Sequence, residues 1–332
     1  MTARSVLFAI RNPEASRQPG LAKAIQVARA LGASLELFHA LTDALFIELG
    51  QLEDHSVDRL RERLEDEART PLIRLCALAR KHGVSATSSV AWDYPPHEAV
   101  VRRASEIGAD LIIAECHKGA RTRPWLIHLT DWELLRNSPV PVLLLKNARP
   151  YHRPLVLAAV DPAHVHAKPL GLDHRIVASA TELGKGLRGA LHIMHANHPT
   201  IAGTSVAIAA RKAASSWSTF SFDELKEQER QAFEAFRTSV DVPRTRAHLV
   251  EANPVRAIPG LASKLGAGIV VMGALSRSGL ERVFIGNTAE RILESLNCDV
   301  LVVKPKAFAT RVARETRGMR VVAPPTPAPM LS

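Results

Sequence analysis

The sequence contains few cysteines and lacks long apolar segments, and each shortage argues against a class of protein. Cys76, Cys116 and Cys298 lie far apart without a CxxC pair, which disfavours a disulfide framework and a structural zinc site. No apolar run approaches the length of about 20 residues that crosses a bilayer, and the first residues carry too short an apolar stretch for a secretory signal. We therefore expect a cytoplasmic protein without a membrane span.

Aromatic residues are also scarce, at 5% of the chain, whereas basic residues are in excess. Lys and Arg number 43 against 33 Asp and Glu, which gives a formal net charge of +10. This charge suits an acidic partner such as a nucleotide, a nucleic acid or an anionic lipid, but solvated arginine is the commoner explanation. We do not expect nucleic acid to be the main partner.

Each half of the chain repeats the same series of strand-like segments. LIIAE, which ends at Glu115, matches IVVMG, which ends at Gly273, and PVLLLK, which ends at Lys146, matches DVLVVK, which ends at Lys304. Both matches have the same offset of 158 residues (273 − 115), so the loop and helix between these strands keep their length. This register indicates a tandem duplication.

Within each half, short β-rich segments alternate with longer segments of helical period. The apolar positions of the first half predict four helices, over residues 21–31, 57–82, 96–107 and 125–136. Strands that are apolar almost throughout, such as 111–114 and 140–145, belong in a parallel sheet covered on both faces. We therefore predict an α/β fold with two tandem domains, each a five-stranded parallel α/β sandwich.

A polar, proline-rich stretch separates the halves. We predict a first domain over residues 1–147, a linker over 148–154 and a second domain over 155–306. The remaining residues, 307–332, are basic and rich in proline, which predicts a disordered tail. A basic helix that docks on nucleic acid or membrane is the alternative for the arginine-rich part of this tail.

The second half carries the outline of a phosphate-binding site. One strand ends at Gly273, a polar loop follows, and Gly286 precedes a helix. Glycine lets a backbone approach a phosphate closely, and the first amides of a helix donate to an anion. Asp161 ends another strand, where its carboxylate can accept from an adenine amino group or a ribose hydroxyl, or can cap the following turn. Taken together, the three residues favour binding.

Two other patterns do not predict a site. The GxGxxG match that begins at Gly184 follows a helical run and precedes a strand, whereas the dinucleotide fingerprint requires the reverse order. We predict that these glycines end a helix. His164, His166 and His174 share a loop, but nothing in the spacing fixes a metal geometry, so we predict no metal site.

The order of these segments resembles the universal stress protein family. That family is described by Gly, two residues, Gly, nine residues, then Gly followed by Ser or Thr. Here a strand ending in Asp161, a strand ending in Ala196, VVMG, GNTAE and a closing VLVVKP follow in that order. The resemblance covers both halves, and TDWELLRNSPVPVLLLK is similar to a bacterial form of the family with tandem domains. The implied fold is Rossmann-like and similar to adenine nucleotide alpha hydrolases.

The resemblance implies that the second domain binds ATP or another adenine nucleotide, with or without Mg²⁺, as a regulatory ligand. Asp161 and the Val160 backbone then face adenine and ribose, Ala196 forms part of the adenine wall, and Met272 lies against the adenosine. The residues implied around the phosphates are Gly273, Gly286, Asn287 and Thr288.

The second half departs from the family pattern at two positions. Ser276 replaces the second glycine, and Asn287 stands where Ser or Thr is expected. The Cβ of Ser276 crowds the phosphate or changes the path of the loop. Ser276 and Thr288 can still donate hydroxyl hydrogen bonds, and Arg277 can neutralise phosphate charge.

The first half departs much further. Arg11 replaces Asp161, Glu115 replaces Gly273, and His128 replaces the glycine at the helix entrance. A carboxylate at position 115 repels phosphate oxygens. We predict that the first half has lost nucleotide binding and has become a structural or partner-binding copy.

The resemblance therefore implies a protein that takes part in the response to starvation, oxidative stress or DNA damage. It also implies an internal pseudo-dimer of the two domains, or a homodimer of the chain. No catalytic residue follows from the sequence. The alternatives are a slow ATPase or self-phosphorylating protein, with Ser276, Ser278 or Thr288 as acceptor, and a module that binds anionic lipid or nucleic acid through the basic tail.

Overall fold

The chain forms two compact units. The computed structural model describes residues 4–41, 45–46, 54–116, 124–163, 171–197, 222–273, 287–306, 308–318 and 321–322. The N-terminal unit comprises Thr2–Pro150 and Ala309–Ser332, and the C-terminal unit comprises Tyr151–Phe308. Among the helices described, none is long and apolar enough to cross a membrane.

The N-terminal unit is built on a parallel sheet. Its elements follow in the order β1 (Ser5–Ala9), α1 (Pro19–Leu31), β2 (Ser34–Leu41), β3 (Leu45–Phe46), α2 (Asp54–Lys81), β4 (Ala86–Trp92), α3 (Pro96–Glu106), β5 (Leu111–Glu115), α4 (Pro124–Asn137) and β6 (Val142–Leu145). Five strands pair in parallel in the order β4-β2-β1-β5-β6. The predicted sheet and the four predicted helices are confirmed, with small shifts at the helix ends.

The C-terminal unit repeats this arrangement. Its described elements are β7 (Leu155–Ala159), α5 (Leu172–Gly186), β8 (Ala190–Ala196), α6 (Phe222–Ser239), β9 (Ala247–Val250), α7 (Pro254–Leu265), β10 (Ala267–Gly273), α8 (Asn287–Ser295) and β11 (Asp299–Val303). The strands pair in parallel in the order β11-β10-β7-β8-β9. As predicted, the glycines from Gly184 onward end a helix, since α5 stops at Gly186 and β8 begins at Ala190.

Local sequence explains these elements. Val270 and Val271 of β10 and Val300 of the neighbouring strand β11 are completely buried, as expected for parallel strands covered on both faces. α7 begins after Asn253, whose side chain accepts a hydrogen bond from the amide of Val255. Ligands of such sheets bind at the carboxyl edge, so the residues that follow each strand form the candidate site.

Residues 309–318, here called the strap, pack on the N-terminal unit. Thr310 Oγ1 donates to the carbonyl of Asn137 at 2.7 Å, and the amide of Arg317 donates to Asp93 Oδ1 at 3.0 Å. Beyond the strap, β12 (Val321–Val322) pairs in parallel with β3. The predicted disorder of the tail is therefore corrected for the strap, where Thr310 and Arg317 bond to residues far away in sequence.

A buried ionic cluster lies under the strap. Arg102 is 4% exposed and donates to Asp93 Oδ2 at 2.7 Å, to Glu98 Oε2 at 3.2 Å and to the carbonyl of Ala313 at 3.1 Å. The Arg317 guanidinium lies 2.9 Å from Glu98 Oε1. Because a buried charge needs a partner, this cluster ties the strap to α3.

Candidate functional site

The predicted site residues of the C-terminal unit follow a single row of paired strand residues. Met272 of β10 pairs with Ala159 of β7, and Ala159 pairs with Met194 of β8. Val160, the residue directly after β7, donates its amide to the carbonyl of Met194 at 2.9 Å. Met272 lies in β10, Val160 directly follows the neighbouring strand β7, and both residues are almost fully buried.

Three further predicted residues lie at the same edge of the sheet. Gly273 ends β10 directly after Met272, while Asp161 and Ala196 each lie two positions beyond the Ala159–Met194 pair. Asp161 and Ala196 are partly exposed. The structure thus brings together five predicted residues, namely Val160, Asp161, Ala196, Met272 and Gly273.

The position of Asp161 is fixed by two neighbouring elements. Its amide donates to Asp173 Oδ1 at 3.1 Å, and Asp173 is a buried residue in the first turn of α5. Its carboxylate oxygen Oδ1 lies 3.7 Å from His195 Nδ1, and its side chain is 34% exposed. Asp161 therefore presents an anionic group at the carboxyl edge from a fixed backbone.

A buried histidine supports the segment that carries Asp161. His195 Nδ1 lies 3.1 Å from the carbonyl of Val160, so Nδ1 is the protonated nitrogen in this contact. His39 makes the same contact with Ile10 in the N-terminal unit, at 2.8 Å. The same structural role in both halves explains why His195 points into the core.

Sequence reasoning missed a group of buried polar atoms around His195. His195 Nε2 lies 4.0 Å from Glu229 Oε2 of α6, which is beyond hydrogen-bond distance. These two atoms and Asn197 Oδ1 are buried and have no hydrogen-bond partner among the described residues. Glu229 precedes Phe233 by one helical turn, and Phe233 packs on the His195 ring, so the period of α6 is the signal that identifies Glu229. Buried polar atoms of this kind are stabilised by water or by a polar ligand group.

Gly273 has a packing role of its own. A Cβ at this position would lie 2.9 Å from Leu172 Cδ2 and 3.3 Å from Ile176 Cδ1. Glycine therefore lets the first turn of α5 approach the end of β10, whether or not a phosphate binds.

The N-terminal unit uses the matching position differently. Glu115 Oε1 accepts a hydrogen bond from the amide of Gly20 at 3.0 Å. Gly20 is the second residue of α1, so the carboxylate lies at the positive end of the helix dipole. The negative charge of Glu115 is therefore stabilised within the protein, by this hydrogen bond and by the dipole of α1. Arg11, at the position that matches Asp161, is exposed.

The glycine-rich loop lies outside the described residues. This loop carries Ser276, Arg277 and Gly286, and the acceptor candidate Ser278 also belongs to it. Asn287 begins α8, and Thr288 is exposed in the first turn of that helix. The structure therefore describes the strand ends and the helix of the predicted site, but not the segment between them.

Comparison with family models supports the duplication. The model of the universal stress protein family matches residues 2–146 and 171–304. The chain is 27% identical to universal stress protein E of Escherichia coli K12 over 307 residues, which cover 92% of this chain and 96% of that protein. It is 28% identical to universal stress protein E of Salmonella typhi over 308 residues, with the same coverage. The predicted resemblance to a tandem form of the family is confirmed.

Solved structures show the same tandem fold. A functionally unknown protein from Pseudomonas aeruginosa PAO1 matches with a TM-score of 0.65 and 26% identity, covering 92% of this chain and 93% of that one. A universal stress protein from Archaeoglobus fulgidus matches in fold with a TM-score of 0.56 and 15% identity, covering 91% and 96%. The two-unit architecture is therefore shared along nearly the whole chain.

Proposed function

The chain belongs to the universal stress protein family, and we propose that its C-terminal unit binds an adenine nucleotide in the cytoplasm as a regulatory ligand of the stress response. The observation that carries the proposal is the position of Asp161. Its carboxylate stands at the carboxyl edge of the sheet, beside the end of β10 at Gly273, and its backbone is held by Asp173. This edge is where parallel α/β sheets bind their ligands.

The chemistry of the edge suits an adenosine. Met272 and Val160 provide buried apolar surface, and the Asp161 carboxylate accepts hydrogen bonds from hydroxyl or amino groups. The first turn of α8 offers amides and a partial positive charge to an anion. ATP, ADP and AMP share the adenosine, so the proposal does not choose among them. Any Mg²⁺ would bind with the phosphates, and the loop predicted to surround them is not among the described residues.

Regulation follows from where the ligand attaches. Asp161 connects β7 to the segment that leads to α5, and the Asp173 contact couples the two. A nucleotide that binds one arrangement of this segment more tightly shifts the population toward it. The surface presented to partners then depends on the occupancy of the site.

Only the C-terminal unit is proposed to bind. In the N-terminal unit the Glu115 carboxylate stands at the end of β5 and bonds to the first turn of α1. A second anion at this strand end would meet a like charge. Arg11 also lacks the acceptor oxygens of Asp161.

Calorimetric titration of ATP into the intact chain tests the proposal. Asp161→Asn keeps the shape of the side chain but removes its charge, and Arg11→Ala is the matched control in the other unit. A hydrogen bond to a charged group contributes about 1.5–3 kcal/mol, so Asp161→Asn should weaken binding by about tenfold or more. The control should bind like the unmodified chain.

Two results would reject the proposal. One is the absence of binding heat in the intact, folded chain. The other is equal affinity of the Asp161→Asn variant, with its folding checked by thermal unfolding. Chromatography of the nucleotide after incubation then separates a binding protein from a slow ATPase.

A further inference from the structure

The two units contain the same pair of packed helices. α3 and α7 begin 158 residues apart, at Pro96 and Pro254, and α4 and α8 end 158 residues apart, at Asn137 and Ser295 (254 − 96 and 295 − 137). α3 packs on α4, and α7 packs on α8. The offset of the sequence repeat therefore relates these helices residue by residue.

In the N-terminal unit, the strap covers one face of α3. Glu98 and Arg102 are one helical turn apart on this face, and both are buried. Glu98 contacts the Arg317 guanidinium, and Arg102 donates to the carbonyl of Ala313. The acidic start of α3 thus receives a basic, extended segment of the chain.

In the C-terminal unit, the matching face of α7 is exposed and its charge is reversed. The offset matches Glu98 with Arg256, Arg102 with Gly260, and Glu133 of α4 with Arg291 of α8. Arg256 and Gly260 are exposed, and among the described residues outside the α7 backbone no atom lies within 4 Å of a Cβ added at Gly260.

A cavity opens at the start of this face. Its volume is about 460 Å³, and the described residues that line it include Ala252, Asn253, Val255, Arg256 and Arg291. Within the described ranges, neither arginine forms an ion pair. The matching residues in the other unit include His97 and Glu98, beside which Arg317 lies. The cavity therefore corresponds to the place that a strap side chain takes in the N-terminal unit.

We propose that this cavity and the exposed face of α7 form a docking site for an extended acidic peptide segment of a partner protein. The strap shows the type of segment that fits, because its backbone and side chain bind the equivalent face. Two arginines in place of two glutamates select an acidic segment over a basic one. The start of α7 adds a partial positive charge. This site does not depend on nucleotide binding.

A designed peptide tests the docking site. The probe is a fluorescent peptide with the sequence of residues 308–318 in which every arginine is replaced by glutamate, as Arg311→Glu, Arg314→Glu and Arg317→Glu. The unmodified peptide is its control. Fluorescence anisotropy with the intact chain should show saturable binding of the acidic peptide only, and binding should weaken with added salt.

Variants of the chain locate the binding. The combination of Arg256→Glu and Arg291→Glu should lower the affinity for the acidic peptide by about tenfold or more. Lys264→Glu, near the other end of α7, makes an equal charge change per residue and should leave the affinity nearly unchanged. Thermal unfolding confirms that each variant is folded.

Several outcomes overturn the proposal. No saturable binding of the acidic peptide is one, and equal binding by the double arginine variant is another. A third outcome is displacement of the peptide by inorganic phosphate or ATP at matched charge. If the double arginine variant also fails to bind that small anion, the cavity is a small-anion site instead.

Discussion

Removing the buried charge of Lys304 should stabilise the protein at neutral pH. Lys304 follows β11, is completely buried, and its Nζ has no hydrogen-bond partner among the described residues. Its ammonium lies 4.4 Å from the centre of the Phe308 ring. Burial lowers the pKa of Lys304 to about 8, from the ordinary value of 10.5. The folded chain therefore binds this proton less tightly than the unfolded chain does.

The size and sign of the effect follow from this difference. One pKa unit corresponds to about 1.4 kcal/mol, so burial of the charged form costs about 3 kcal/mol below pH 8. Attraction to the Phe308 ring offsets about 0.5–2 kcal/mol of this cost. Between pH 8 and 10.5 the unfolded chain binds more protons, so stability increases with pH across that window. Lys304→Met should therefore add about 1–3 kcal/mol at pH 7, and its advantage should shrink toward pH 10.5.

Urea unfolding of the variant at pH 7 and pH 10 measures this difference. Hydrogen exchange of the β11 amides assigns it to the C-terminal unit, and Lys306→Met, at an exposed position, is the control. A Lys304→Met variant that is less stable than the unmodified chain at pH 7, and by the same amount at pH 10, would contradict this prediction. The ammonium would then be engaged in a stabilising interaction.

Two further substitutions test the packing of each unit. Arg102→Met leaves the buried Asp93 carboxylate without its cation, so it should cost the N-terminal unit about 3–5 kcal/mol in urea unfolding; a cost below about 1 kcal/mol would show that the cluster under the strap is dispensable. Gly273→Ala places a methyl group against Leu172 and should cost the C-terminal unit about 1–3 kcal/mol by the same assay. An unchanged midpoint for that variant would mean that Leu172 moves aside without strain.

The sequence predicted the architecture because the repeat is local and periodic. The matched strand ends at Glu115 and Gly273 revealed the duplication, and the same offset holds for the starts of α3 and α7. Helix periods located the helices of the first half closely. Apolar strands without alternation indicated a parallel sheet, and the pairing of β7 with β8 and β10 confirmed it.

Contacts between distant residues could not be predicted in the same way. The arginines of the strap suggested a solvated tail, and only the fold brings Arg317 to Asp93 and Glu98. Glu115 suggested repulsion of phosphate, whereas its carboxylate bonds to the amide of Gly20. Gly273 suggested a phosphate site, and its contact with α5 gives it a second role. In each case the sequence pattern identified the residue, but the group that the residue contacts depends on the fold.

The decisive measurement is the number of nucleotides that one chain binds. Titration of ATP into the protein, at a protein concentration far above the dissociation constant, gives this number without reference to any variant. Because Arg11 and Glu115 stand in the N-terminal unit where the C-terminal unit has Asp161 and Gly273, we predict one nucleotide per chain. Two nucleotides per chain, or none, would contradict the account.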